Sequence, residues 1–256
     1  RTVIAGQGMG IYFKVIIAAT IAALVYQFTP TSTRAGIPVD AVHVLESFLE
    51  VMGGIYSVLA AFVIYVVWEQ FNSLQKLTVH EGSLAAEVPR LASRLGGEST
   101  EIRKRIASAI RTYLEAATAE WEDLAQLKES HAAIKALDAV ETRVGEAGSL
   151  GESSQAIYGR LVDAVAALRE CRMSRVSAAK HRMPTTLSHL LGLLSLFLLA
   201  AFLAMPPGEQ PAIGLAAFVC LAGVFSMIRG VVWDMDHPFV GVRNISKAPF
   251  EESGKG

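Results

Sequence analysis

Apolar residues follow two patterns along this chain. In four stretches, 11–28, 49–68, 187–205 and 212–233, they run almost without interruption. Between the second and third stretches they recur every third or fourth position among polar residues. A helix rises about 1.5 Å per residue, so about 20 apolar residues cross a hydrocarbon core of about 30 Å. The interrupted pattern has the period of amphipathic helices, and no strand period stands out. The expected fold is an all-α membrane protein of four transmembrane helices, with a helical cytoplasmic domain inserted between the second and third. Its parts are a first hairpin at 1–68, a cytoplasmic helical domain at 69–183, a second hairpin at 184–233 and a cytoplasmic tail at 234–256.

The chain is organised around residues 53–95. This stretch starts as an apolar run and turns polar at Glu69, Gln70, Asn72, Ser73, Gln75 and Lys76, with no breaker before Pro89. Phe71, Leu74, Leu77, Leu84 and Val88 keep helical spacing beyond the run. One helix is therefore expected to leave the membrane without stopping. Upstream, Val42, Leu45, Phe48 and Leu49 alternate with His43, Glu46 and Glu50, as a short amphipathic helix or as the start of the second membrane helix. Glu46 and Glu50, one turn apart, read as a solvated face before they read as an acidic ring at a pore mouth.

In the middle domain, Gly96-Gly97 and Ser99-Thr100 mark a stop and a new start. Ile102, Ile106, Ile110, Leu114, Ala117, Trp121 and Leu124 then form one apolar stripe. Ile134, Leu137 and Val140 form a second, and Ile157, Leu161, Val165, Leu168 and Val176 a third. Pro184 suits the first turn of the next helix. The turn at 206–211 is short enough to require an antiparallel hairpin.

Composition agrees with a membrane protein. The 256 residues are 52% hydrophobic and 18% charged, against about 25% charged in soluble domains. This argues against a soluble enzyme, and a net charge of -1 gives no overall bias toward nucleic acid. Sixteen of the 23 Lys and Arg residues lie between the second and third runs, which puts the middle domain and both termini on the cytoplasmic side. A multi-pass protein of a bacterial inner membrane is expected. The sequon Asn244-Ile245-Ser246 reads as chance. Arg1, rather than Met, leaves a removed leader open, and 1–10, with Gly6, Gly8 and Gly10, reads as a flexible entry.

Catalytic chemistry finds little support. His80-Glu81 lacks the second histidine of a zinc-protease helix, and no nucleophile elbow or phosphate-binding loop appears. Cys171 and Cys220 suggest neither a disulfide nor a zinc site. No cofactor or metal is expected. The carboxylates of the middle domain read as solvated faces. Arg103-Lys104-Arg105, and Arg169, Arg172 and Arg175, are candidates for anionic headgroups. Arg229, near the end of the fourth run, reads as snorkelling or as paired with Asp234 or Asp236.

Several segments resemble the bestrophin-like domain family of bacterial and plant membrane proteins. They are AFVIYVVWEQFNSLQKLTVHEGSLAAEVPRL, IRTYLEAATAEWEDL, SRVSAAKHRMPTTLSHLL and DMDHPFVGVRNIS, in that order and spread over most of the chain. The motif positions are Trp68-Glu69, His80-Glu81, Tyr113, Glu120-Trp121, Pro184 and Asp236-His237-Pro238-Phe239-Val240-Gly241. At the last site His237 stands where the family pattern has arginine, which weakens any fixed salt bridge there. The resemblance implies kinship with bestrophins, pentameric anion channels with four membrane helices per subunit, and hence a homo-oligomer of five.

In such a channel the second helix would line the conduit. Ser57, Ala61, Ile64, Trp68 and Phe71 share the candidate pore-lining face, with Ile64, and Trp68 or Phe71, at a constriction that gates by dewetting. Glu69, Asn72 and Lys76 would stand at the cytoplasmic mouth, where a ring of Glu69 favours cations, against the anion selectivity that the resemblance implies. For each apolar residue taken singly, plain helix packing is the preferred reading. Asp236, His237, Pro238 and Phe239 form a structural motif that ends the fourth helix and pins the tail. A membrane scaffold whose bundle recruits a partner is the alternative. An ion-driven motor subunit ranks last, because only Thr20, Ser57, Ser195 and Ser226 offer hydroxyls at depth and no carboxylate does.

Overall fold

The computed structural model describes residues 2–29, 38–95, 100–149, 155–206, 210–240 and 243–254. Among them the regular structure is entirely helical. The helices are α1 (Thr2–Phe28), α2 (Val39–Ala92), α3 (Thr100–Ala125), α4 (His131–Glu146), α5 (Gln155–Lys180), α6 (Thr185–Ala204), α7 (Pro211–Asp236) and α8 (Ala248–Ser253), with a 3-10 turn after α4. Two expectations are corrected, and one alternative left open by the sequence is decided. The glycine-bearing entry is helical from Thr2, not flexible. The amphipathic piece at 41–50 is the start of α2, which begins at Val39. Pro89 does not stop α2, which closes three residues later at Ala92.

Among the described residues, three stretches are long and apolar enough to cross a membrane. They lie within Asp40–Ala92, within Gln155–Ala204, whose apolar part is α6, and in Pro211–Asp236. The apolar stretch Phe13–Phe28 of α1 is shorter. The chain divides into two compact units. The first holds Arg1–Glu69 and Met183–His237, with Gly241–Arg243; the second holds Gln70–Arg182, Pro238–Val240 and Asn244–Gly256.

In the first unit, Tyr56, Ala60, Val63 and Val67 repeat at the spacing of one helix face. They pack on Leu191, Leu194 and Leu198 of α6 and on Phe225 and Val232 of α7. The Tyr56 and Phe225 rings lie 4.6 Å apart. Ala22 of α1 packs on Phe218 and Ala222 of α7. The outer faces stay apolar too, with Val58, Phe62, Phe197 and Ile213 exposed, as suits helices surrounded by lipid rather than water.

The second unit buries the sequence stripes of α2 to α5 in one core, which Ile245 and Phe250 complete. Trp121 packs edge-on against Phe250 at 5.3 Å and donates its indole N–H to the Ile245 carbonyl at 3.1 Å. Helix α3 ends in a Schellman turn: Lys128 N donates to Asp123 O and Leu127 N to Leu124 O. Leu127 takes the left-handed position, with φ 60°, where glycine is usual.

Candidate functional site

Two groups of residues carry chemistry, one in each unit. In the first unit, α2 displays the upper part of the expected pore face. Ser57 and Ala61 are exposed, Ile64 is half-buried and Trp68 is 45% exposed. The Ser57 hydroxyl donates to Gly53 O at 2.8 Å, so its donor is already used within the helix. Ser57, Ala61 and Ile64 also line an apolar groove of about 800 Å³ with Leu198 and Phe202 of α6 and Leu221 and Phe225 of α7. Glu69, the last α2 residue of this unit, is exposed. Phe71 and Asn72, in the second unit, are half-buried, Phe71 against that unit's core, and Lys76 is exposed.

At the end of α7, Asp236 Oδ1 accepts from Met183 N at 2.7 Å, and Asp234 Oδ2 from Arg243 N at 3.2 Å. His237 leaves the helix and stacks on Trp233 at 4.4 Å. Its Nδ1 lies 2.8 Å from Trp233 O, and since a carbonyl only accepts, Nδ1 carries the proton. Pro238 O accepts from Ile245 N at 3.0 Å, and the Phe239 ring meets Trp121 edge-on at 5.8 Å. Arg229 forms no ion pair with Asp234 or Asp236 among the described residues, contrary to one of the two readings from sequence.

The second unit holds a buried ionic network that the sequence reading missed. Arg175 of α5 and Glu81 of α2 are both 0% exposed. Arg175 Nε donates to Glu81 Oε2 at 2.6 Å, and its Nη2 to Glu120 Oε2 at 2.8 Å. Glu120 Oε1 accepts from Arg172 Nη2 at 2.5 Å and from Ser130 N at 3.2 Å. Tyr113 donates its hydroxyl to Glu81 Oε1 at 2.5 Å. At the network's outer edge, Glu129 joins Arg172 and Lys180. The Arg175 guanidinium lies over the Trp121 ring at 5.2 Å and the Phe250 ring at 5.6 Å. Buried Arg175 Nη1 and Arg172 Nε have no hydrogen-bond partner among the described residues.

The electrostatics follow from this enclosure. Burial alone would lower the Arg175 pKa, but the Glu81 and Glu120 carboxylates outweigh it and hold the charge more firmly than usual. Burial first, and the Glu81 charge next, push the Tyr113 hydroxyl well above its ordinary range. Burial, then Glu81, raises the Cys171 thiol to about 11, which leaves it unreactive. Burial would raise Glu129, but its bonds to Lys180 and Arg172 prevail and hold it below its ordinary value.

Two expectations therefore change. Glu81 and Glu120 are core residues, not solvated carboxylates. Arg172 and Arg175 are spent on them and are closed to lipid headgroups, and Arg169 is engaged by Asp138 and Glu141. The signal was a gap in periodicity. The α5 stripe passes from Leu168 to Val176 over Arg172 and Arg175, and the α2 stripe passes over Glu81. A charge at a core position requires a partner.

Among the described residues no cluster of three or more metal-type ligands occurs. The fold and these sites define an all-helical membrane protein in which one apolar helix runs on into an ion-paired helical unit. The chain belongs to the Bestrophin-like family, whose domain model matches residues 12–250. Solved structures of a bacterial Bestrophin homolog from Klebsiella pneumoniae are similar over nearly the whole chain. One variant aligns with a TM-score of 0.75 at 13% identity, covering 96% of this chain and 98% of that one. A second gives 0.73 at 14% identity, covering 97% and 96%, and a structure phased on zinc gives 0.73 at 13%, covering 96% and 94%. No match was found among curated proteins.

Proposed function

We propose that this protein is an ion channel of bestrophin type, assembled from several copies around a conduit lined by α2. The observation that carries the reading is α2 itself: 54 residues without a break, about 80 Å at 1.5 Å per residue, apolar in its first half and amphipathic in its second. Family membership supports the reading, and five copies is the number that the resemblance to bestrophins implies. Four membrane helices (α1, the apolar half of α2, α6 and α7) would form each subunit in an inner membrane, with the α3 to α5 bundle and both termini in the cytoplasm. Small residues along α2 favour close approach of a neighbouring helix: a Cβ on Gly53 or Gly54 would meet no heavy atom within 4 Å.

Ser57, Ala61, Ile64, Trp68 and Phe71 line the conduit in this reading, and Ile64 forms the dewetting constriction. Glu69, Asn72 and Lys76 form the mouth, where a ring of Glu69 carboxylates draws cations. The test is the reversal potential of the purified protein in a planar bilayer under a salt gradient. Reversal toward the cation potential supports selection by Glu69, and Glu69→Gln should then shift it toward zero. Reversal toward the chloride potential keeps the channel and discounts Glu69. Ile64→Ala should raise leak current by about tenfold, the effect of removing roughly 1.4 kcal/mol of barrier. Absence of current at every voltage, calcium level and pH would favour a scaffold that recruits a partner through its helical unit.

A further inference from the structure

Arg229 is an exposed cation near the end of α7 that enters none of the ion pairs among the described residues. Its neighbourhood is built on two sides. On one side lies a recess of about 230 Å³ lined by Thr185, Ser188, Arg229, Trp233, Asp236 and His237. On the other, Arg229 borders an almost wholly apolar groove of about 540 Å³ along α6, walled by Leu190, Gly192, Leu193 and Leu196. The guanidinium is the residue common to both.

The recess favours an anion. The Asp236 carboxylate keeps its charge but turns Oδ1 to the Met183 N–H at 2.7 Å and Oδ2 toward His237 Nδ1 at 3.9 Å. A second cation, Lys14, sits with Nζ 4.8 Å from the Trp233 ring centre. Helix α6 starts at the recess with Pro184 at its N-cap and no side-chain cap. Its first-turn amides and positive dipole end therefore add to the field, and Thr185 and Ser188 bring hydroxyl donors. Gly192 is what lets Arg229 lie across α6, because a Cβ there would collide with Nη1. A polar, cationic recess opening at one arginine onto an apolar groove matches a ligand with an anionic head and a hydrocarbon tail.

We propose that this is a binding site for an anionic phospholipid. The phosphodiester sits against Arg229, Ser188 and the α6 N-terminus, and an acyl chain lies along Leu190, Leu193 and Leu196. The site is independent of the channel reading, and its test reads binding rather than current. The purified full chain in detergent is titrated with dioleoyl phosphatidylglycerol or dioleoyl phosphatidylcholine, and retained lipid is counted by native mass spectrometry. Phosphatidylglycerol should be retained about fivefold better, the effect expected of one cation near an anionic headgroup. Arg229→Gln should remove the preference. Gly192→Ala should weaken it while keeping the charge, by pushing the guanidinium aside. Equal retention of the two lipids by the wild-type chain overturns the proposal even if neither variant folds. An unchanged preference in folded Arg229→Gln also overturns it. Displacement of phosphatidylglycerol by inorganic phosphate at matched concentration overturns the lipid as occupant and leaves a simple anion site.

Discussion

Without the Glu81 carboxylate, Arg175 keeps a single carboxylate partner, Glu120, inside a fully enclosed site. Breaking a buried pair by removing one partner costs about 3–5 kcal/mol. Glu81→Gln should therefore lower stability by about 3 kcal/mol, read from thermal or denaturant unfolding in detergent. Replacing both partners, as Glu81→Leu with Arg175→Met, should cost much less than the sum of the single changes. Tyr113→Phe keeps the ring and loses only the bond to Glu81, so about 1–2 kcal/mol is expected. Glu129 gives a pH signature. Its pKa in the folded chain lies below the ordinary 4.5, so its stabilisation is present at neutral pH and is lost as pH falls below that value. Melting temperature against pH should show this acid loss in the wild type and a shallower one in Glu129→Gln.

At the scale of elements, two backbone positions decide how helices end and meet. Leu127 occupies the left-handed position of the turn after α3 and is largely exposed. A non-glycine residue there costs roughly 1 kcal/mol, so Leu127→Gly should raise stability by about that amount, with little packing lost. Gly82 is the opposite case. A Cβ on it would lie 2.9 Å from Pro249 O, and Ser253 Oγ bonds to Gly82 O at 2.9 Å. Gly82→Ala must push α8 away and should cost about 1–3 kcal/mol. Protease cleavage near Phe250 in the variant, against protection in the wild type, would show that displacement.

At the scale of the whole molecule, the helical class and the membrane character were legible, because both depend on local runs and periods of apolar residues. The ionic network was not. Glu81 and Arg175 stand 94 residues apart, and no local pattern says that two charged residues will meet in a core. A charge on a helix is read as solvated unless its place in the stripe is weighed more heavily than its polarity. The continuity of α2 through Pro89 was hidden for a related reason. Pro89 gives up the N–H that would reach Ala85 O, but its own carbonyl still accepts from Ser93 N at 2.9 Å, so α2 runs on to Ala92 with one ladder bond missing.

Phe250 seals the second unit, almost wholly buried against Trp121 and facing the Arg175 guanidinium. In the order of synthesis it follows α6 and α7. The helices that carry the ionic network therefore leave the ribosome long before the ring that covers it. Until then the Trp121 ring and the Arg175 guanidinium lack the Phe250 ring that packs on them. A nascent chain stalled between α5 and α8 would be a recognisable unfinished product, so completion of the second unit's core has to wait until α6 and α7 have been made.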